Sequence, residues 1–593
     1  MLDLAQLLRV PKVDTAFDIS PDGSRVAFSW NRTGEWQLNE LVLETGDILP
    51  LTKSRGAKFS PRYSPSGSHL AFVADFDGSE SYHLLLKDLK TGREHDFTPD
   101  ISFALQPNIA WSPDGNEIAF LSDQSGHFDA YILNVKESSS RLVFSNGHPC
   151  WDVTWSPDGR WLMLEVEMRG QDYGLFLVPV DGGVQPIELT RDGKPLNAKH
   201  AAWAPDSRKV LFSSDAQGFY DIATYDLARG TISWLTEGVA EDHSPAYSSN
   251  GKLMTFIRSR GILTWLELRG TGRQAKRIEA GDGIHAKPKF TPDGKQVIFI
   301  FESPSQPPDL WNLDVESGKC RQLTHSLPEE LAPAQFSSPR EIRYTGMDGV
   351  SIPALLFLPP SVKRPAPAVI LIHGGPNYHY QVMWHPFAAH LVSRGWIVLA
   401  PNYRGSTGYG RAWQTANIMD LGGVDTRDVV AGSGYLTSNG YADPERIALT
   451  GQSHGGYLTM TCLTQFPDLW AAGSAVVPFL NFFTSHENSR PDLQHWDIQN
   501  MGDPHENFDL WRERSPYFFL DKVKAPVQFI CGENDPRCPP SESEAARDRL
   551  LDLERVVDFV LYEDEGHGFL KTKNVVSSEL RRVAFLEKYL EPK

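Results

Sequence analysis

A four-residue turn, Ser20-Pro21-Asp22-Gly23, keeps returning through the first half of this 593-residue chain. Close copies stand at Ser64-Pro65-Ser66-Gly67, Ser112-Pro113-Asp114-Gly115 and Ser156-Pro157-Asp158-Gly159. Degraded ones follow at Ala204-Pro205-Asp206-Ser207, Ser248-Ser249-Asn250-Gly251 and Thr291-Pro292-Asp293-Gly294. The starts are separated by 44, 48, 44, 48, 44 and 43 residues, a regularity that chance does not produce. Pro presets φ and Gly accepts a positive φ, so each copy predicts a tight reversal between two strands. β-rich runs follow the turns, as in Arg25–Ser29, His69–Val73, Glu117–Leu121 and Lys209–Phe212. A second strand pair closes each repeat, often ending in Leu-Thr as at Leu51-Thr52 and Leu323-Thr324. Four short strands per repeat of this length are the pattern of a propeller blade. The expectation is a seven-bladed β-propeller over residues 12–325, after an N-terminal extension, 1–11. An open solenoid or a two-sheet sandwich is the alternative.

The turn is not found after residue 294, and a Pro/Glu-rich passage, Ser326–Pro333, reads as a linker. Beyond it, apolar runs alternate with helical stretches. The runs are Ala368–Ile372, Trp396–Ala400, Ile447–Thr450, Ala475–Val477, Val527–Cys531 and Val557–Tyr562. Short continuous apolar runs between helices predict a parallel sheet covered on both faces, so 326–593 is expected to be an α/β domain. Helices are expected at Gly455–Gln465, Ser541–Leu553 and Ser577–Leu590. The last carries a stripe of Leu580, Val583, Leu586 and Leu590, with Phe585 out of phase.

Chemistry enters at Gly451-Gln452-Ser453-His454-Gly455-Gly456. Gly-x-Ser-x-Gly alone is a weak signal. Between a strand and an apolar helix it becomes a nucleophile elbow, where the strained backbone leaves no room for neighbouring Cβ atoms. A serine hydroxyl needs a base within hydrogen-bond reach. In the order expected for an α/β-hydrolase, Asp535 and His567 follow, each just after a strand, where open α/β sheets place their chemistry. His567 would take the Ser453 proton, and Asp535 would fix its tautomer. Glu533, Asp564 and Glu565 are rival carboxylates. The backbone N–H of His454 and the loop His373-Gly374-Gly375-Pro376 would bind the oxyanion. The His454 side chain would be structural, and Asp425 and Asp428 read as solvated or cap-forming charges on a helix.

With these motifs, the chain resembles the prolyl oligopeptidase family of serine peptidases, a β-propeller followed by an α/β-hydrolase fold. The likeness rests on the blade turns, His373–Pro376, Asn402–Gly410, Asp443–Ile447, Gly451–Tyr457, Asp535-Pro536-Arg537 and Gly566-His567-Gly568. The His-Gly-Gly-Pro loop is most similar to the acylaminoacyl-peptidase branch. The resemblance implies a triad of Ser453, Asp535 and His567 with oxyanion donors at Gly375 and His454. It implies substrate contact by Arg537, whose alternative is an ion pair with Glu533 or Glu542. Tyr457, Val477, Phe479 and Phe482 or Phe483 would line a specificity pocket or lie in the core. The blade ring would stand over the site and exclude folded proteins. The only Glu-Glu pair, Glu329-Glu330, lies in the linker, which argues against dipeptidyl peptidase activity. Cys538 stands where the family more often has an aliphatic residue.

The expected activity is hydrolysis of short peptides, releasing acylated residues. A carboxylesterase, a carboxypeptidase-type exopeptidase and a propeller scaffold with a dead hydrolase domain are the alternatives. The net charge of −18 repels phosphate backbones, so nucleic acid is not an expected partner. No stretch approaches the roughly 18 apolar residues of a membrane span, and the first residues, Met1–Gln6, do not read as a signal peptide. Five scattered cysteines fit neither a zinc site nor a disulfide framework. No metal or cofactor is expected, a cytoplasmic location is the default, and by family analogy a homo-oligomer is expected. Cys531 and Cys538 read as small buried or loop residues.

Overall fold

The computed structural model describes residues 1–593 except 100–102, 271–274, 333, 335, 362 and 592–593. Pro333 of the expected linker thus lies outside the described residues. The chain divides into two compact units. One comprises Pro11–Phe76 and Glu80–Pro328, the other Met1–Val10, Asp77–Ser79 and Glu329–Lys593.

The first unit holds seven four-stranded antiparallel sheets, formed in chain order, with strands Val13–Pro50, Ala57–Asp96, Leu105–Phe144, Cys150–Glu188, Ala198–Trp234, Glu241–Ile278 and Ile284–Gln322. A small extra hairpin, Thr190–Arg191 with Lys194–Pro195, sits between the fourth and fifth. The recurring turn explains itself atom by atom. Ser20 Oγ donates to Asp22 Oδ1 (2.6 Å) and accepts from Arg25 N (3.0 Å), closing the reversal with side-chain bonds. Ser112, Ser156 and Thr291 repeat the pattern with Asp114, Asp158 and Asp293. Gly23 takes φ +73°, and a Cβ there would lie 3.1 Å from Pro292 of blade 7. Gly67, Gly115, Gly159 and Gly251 face Pro21, Pro65, Pro113 and Pro205 of the preceding blade in the same way. The Pro and Gly of the motif therefore serve contacts between blades as well as the turn. Blade 5 carries Ser207 at this position with φ +58°, and its hydroxyl accepts a hydrogen bond from Asp158 N of blade 4 (3.0 Å).

Apolar side chains of each blade bury against the next. Leu70, Phe72 and Leu85 of blade 2 meet Ala27 and Leu38 of blade 1, and Leu211 and Ile222 of blade 5 meet Phe256 of blade 6. The ring closes where Val13, Phe17 and Phe28 of blade 1 pack on Ile298, Ile300 and Leu310 of blade 7. Trp30 Nε1 donates to Ser326 Oγ (3.0 Å) and Lys289 Nζ to the Phe17 carbonyl (2.6 Å) at this join. Among the described residues, no strand is shared between the first and last blades. The solenoid and the sandwich are thereby excluded.

The second unit is built on an eight-stranded sheet. Its order is Arg340–Thr345, Ser351–Phe357, Ile397–Pro401, Ala366–Ile372, Ala442–Gln452, Ala472–Val476, Val527–Gly532 and Val557–Tyr562. The six strands expected from apolar runs pair in parallel. The first two were not foreseen and run antiparallel. Helices Pro386–Ser393, Val424–Ser438, His454–Gln465, Pro540–Asp552 and Thr572–Leu590 accompany the sheet. The last corrects the expected stripe: Leu580 is 43% exposed, whereas Phe585 is buried with Val583, Leu586 and Leu590. The N-terminal residues belong here too. Helix Leu4–Leu8 buries Leu4 and Leu7, Leu2 N donates to Ser393 Oγ (2.9 Å), and His390 Nδ1 donates to the Leu2 carbonyl (2.7 Å). Among the described residues, no helix is long and apolar enough to cross a membrane, and all five cysteines are free.

Candidate active site

Strand Ala442–Gln452 runs straight into helix His454–Gln465, and Ser453 is the single residue between them. Its φ of 59° and ψ of −124° lie where L-residues are rarely found. The glycines around it are obligatory on steric grounds. A Cβ on Gly455 would stand 2.3 Å from the Ile372 carbonyl oxygen, and one on Gly451 2.4 Å from that of Gly455. The helix thus begins directly behind the serine, with its positive dipole end toward it.

His567 and Asp535 meet on neighbouring loops. Imidazole Nδ1 lies 2.9 Å from Asp535 Oδ2 and 3.0 Å from Oδ1. Asp535 is buried, and its Oδ1 also accepts the backbone N–H groups of Arg537 and Cys538, both at 2.9 Å. Three donors fix the carboxylate, which holds the imidazole with Nδ1 protonated and Nε2 open as an acceptor. Gln452, the residue before the serine, donates Nε2 to the His567 carbonyl (3.2 Å), bringing the histidine loop to the elbow. The buried Cys538 side chain neighbours the Ser453 hydroxyl. Burial pushes that thiol up, so it stays protonated. The rival carboxylates are placed otherwise. Glu533 is exposed, Asp564 pairs with Lys571 (2.8 Å), and Glu565 accepts from Leu570 N (2.7 Å), Lys571 N (3.1 Å) and Asn574 Nδ2 (2.7 Å).

The glycine loop lies against the elbow: a Cβ on Gly374 would be 2.9 Å from the Gln452 carbonyl oxygen and 3.3 Å from Ser453 Cβ. Gly375 has φ +116°. Underneath, His373 stacks on Tyr403 (centroids 4.2 Å apart). Its Nδ1 donates to the Gly374 carbonyl and its Nε2 accepts from Ser406 Oγ, both at 2.8 Å. Burial lowers the His373 pKa to about 3, so the ring is a neutral strut.

Several expectations need correction. Asp425 and Asp428 are not solvated; both are completely buried on helix Val424–Ser438 because cations and donors remote in sequence reach them. Arg404 grips Asp428 with Nε (2.9 Å), NH2 (2.6 Å) and its backbone N–H (2.9 Å), while NH1 holds Asp348 (2.6 Å). Asp425 Oδ2 lies 3.2 Å from His454 Nε2. Removing Arg404 would leave a buried carboxylate uncompensated, so Arg404→Ala is expected to destabilise the catalytic unit by about 3–5 kcal/mol, read as a lowered midpoint in urea with unchanged slope. Tyr457 and Val477 do not line an open pocket. Tyr457 is wholly buried and its hydroxyl donates to the carbonyls of Leu421 (3.1 Å) and Arg514 (2.7 Å). Val477 is buried against Val476 and Ile530, and its φ of +41° is a rare one for a β-branched residue. Phe479 is half-buried and stacks on Tyr457 at 4.4 Å. Arg537 is exposed beside Asp535. Glu542 does not serve as its partner. It is a buried carboxylate that accepts from Asn481 N (2.8 Å) and Leu480 N (3.3 Å), pinning the segment that carries Phe479. Nothing in the local sequence marks that role.

Comparison with known proteins agrees with the two-part fold. Residues 382–593 match the prolyl oligopeptidase family and residues 49–271 the TolB beta propeller domain. Dipeptidyl aminopeptidase BIII of Pseudoxanthomonas mexicana is 26% identical over 600 residues, 94% of this chain and 84% of that protein. The acylamino-acid-releasing enzyme of Rattus norvegicus is 25% identical over 402 residues, 65% of this chain and 50% of the relative. A puromycin-hydrolyzing peptidase of Mycobacterium tuberculosis shares the fold with a TM-score of 0.88 at 22% identity, over 100% of this chain and 96% of its own.

Proposed function

Because this chain belongs to the prolyl oligopeptidase family of serine peptidases, we propose that Ser453, Asp535 and His567 are its catalytic triad and that it cleaves short peptides, releasing N-terminally acylated residues. The observation that carries the assignment is the doubly anchored Asp535–His567 pair on loops beside a strained serine elbow. Ser453 Oγ attacks the scissile carbonyl and passes its proton to His567 Nε2. Asp535 keeps the Nδ1 proton in place and stabilises the imidazolium. The backbone N–H groups of His454 and Gly375 receive the oxyanion, a contribution of roughly 10²–10³ in turnover for each donor. His567 then protonates the leaving amine, and water repeats the sequence on the acyl-enzyme. Arg537 contacts a peptide carbonyl or carboxylate, and Phe479 offers an apolar wall to the residue before the cleaved bond.

Amide and ester hydrolysis share this machinery, so substrates decide the subtype. The test is a parallel assay of acyl-amino-acid amides, free-amine dipeptidyl amides, peptides with free C-termini and simple esters. Faster turnover of acylated amides than of the other amides is expected. Preference for free-amine dipeptidyl amides would replace this reading with an aminopeptidase one, and turnover of esters alone would remove the peptide substrate altogether. The five unpaired cysteines support a reducing, cytoplasmic setting, and family analogy supports a homo-oligomer. Cell fractionation and light scattering measure these two points.

A further inference from the structure

His454 carries two features in one residue. Its backbone opens the helix behind the nucleophile, and its side chain turns into the interior, 1% exposed, to meet the wholly buried Asp425. Nε2 lies 3.2 Å from Asp425 Oδ2. Nδ1 is buried and has no hydrogen-bond partner among the described residues. A carboxylate only accepts, so Nε2 carries a proton and donates it. Asp425 is held in turn, accepting from Thr426 N (2.8 Å) and from Asn417 Nδ2 (3.4 Å). The rings of Tyr403, Tyr457 and Phe479 surround the imidazole at 6.2, 5.3 and 6.1 Å between centroids. A polar pair in such surroundings costs desolvation that an apolar side chain of similar size would not. Filling space therefore does not account for it.

We propose that the His454–Asp425 pair is a positioning couple: it ties the first residue after the nucleophile to helix Val424–Ser438 and so aims the His454 backbone N–H at the oxyanion. A donor of this kind acts only when held within a fraction of an ångström and about 10–20° of its productive direction. The peptide between Ser453 and His454 sits at a strained turn and is held on its carbonyl side, where Tyr457 N donates to the Ser453 oxygen (2.9 Å). The hydrogen bond to a second helix adds a constraint from the His454 side. The inference rests on the triad reading above, and neither side chain touches the substrate.

The test compares His454→Phe, which keeps a ring and loses the bond, with Asp425→Leu, with Asp425→Asn and with the double variant His454→Phe/Asp425→Leu. Active sites are first counted with a fluorophosphonate, so that misfolded molecules do not enter kcat. Per labelled site, His454→Phe and Asp425→Leu are expected to lose about 10–100-fold in kcat, with KM changed less than about threefold. A peptide aldehyde, which forms the oxyanion, is expected to bind weaker by the same factor, while a peptide product binds as before. Asp425→Asn still offers a hydrogen-bond partner to the imidazole and is expected to recover most of the rate. The double variant is expected to lose no more than either single one. Turnover per labelled site and aldehyde affinity equal to wild type in His454→Phe would overturn the proposal, whatever its thermal stability. Multiplying losses in the double variant would also overturn it. Should His454→Phe and Asp425→Leu yield no folded protein, Asp425→Asn decides: a kcat per labelled site within about threefold of wild type supports the couple, and a loss of about 10-fold or more overturns it. Failure of the triad reading looks different: Ser453→Ala would then still react with the phosphonate.

Discussion

Ser453→Ala protein is expected to take up no fluorophosphonate and to turn over peptide about 10³–10⁶-fold more slowly than wild type. The alanine methyl fits wherever the serine fits, and the elbow is built by Gly451 and Gly455 rather than by the hydroxyl. Fold and thermal midpoint are therefore expected to stay the same. The residual rate comes from the oxyanion donors and substrate positioning, which survive the substitution. Mass spectrometry of the labelled wild-type protein should place the phosphonate on Ser453. Labelling of another residue, or full activity in the alanine variant, would remove the nucleophile from the proposal. The scaffold alternative requires that the wild type itself does not label.

Asp535→Asn is expected to lower kcat by about 10⁴-fold with little change in KM, and the geometry gives the reason. Two backbone N–H groups, of Arg537 and Cys538, donate to Oδ1. An asparagine would place its carbonyl oxygen there, because the amide nitrogen in that position would face two donors. The amide nitrogen then turns to His567 Nδ1 and donates where the carboxylate accepted. The imidazole must accept at Nδ1 and carry its proton on Nε2, so it has no lone pair to offer Ser453. Phosphonate labelling should slow in proportion, while the fold persists. Activity within tenfold of wild type would mean that the carboxylate does not set the tautomer.

The propeller was legible because its seven turns return to one local chemistry, complete in four of them: a hydroxyl, a ring, a carboxylate and a residue free at positive φ. The elbow was legible for a similar reason, since Gly451 and Gly455 have no substitute there. Interactions between distant segments left no such mark. Asp425 and Asp428 carry the spacing of solvated helix charges, and only the arrival of His454 and Arg404 from other elements makes them interior. Tyr457 and Val477 look like pocket residues beside a nucleophile, yet the first spends its hydroxyl on two carbonyls. Of the two unforeseen antiparallel strands, Arg340–Thr345 lacks a continuous apolar run and alternates with exposed charges, whereas Ser351–Phe357 carries one and was overlooked. Helix Leu4–Leu8 is too short to show a period.

The blade ring has a further consequence. Six of its seven joins are backed by the covalent chain that runs from one blade into the next. The remaining one, where Phe17 and Phe28 meet Ile300 and Leu310, has only noncovalent fastening. With no strand woven across it, this circle lacks a keystone. Its expected first point of parting under heat or load is the place where the last blade meets the first.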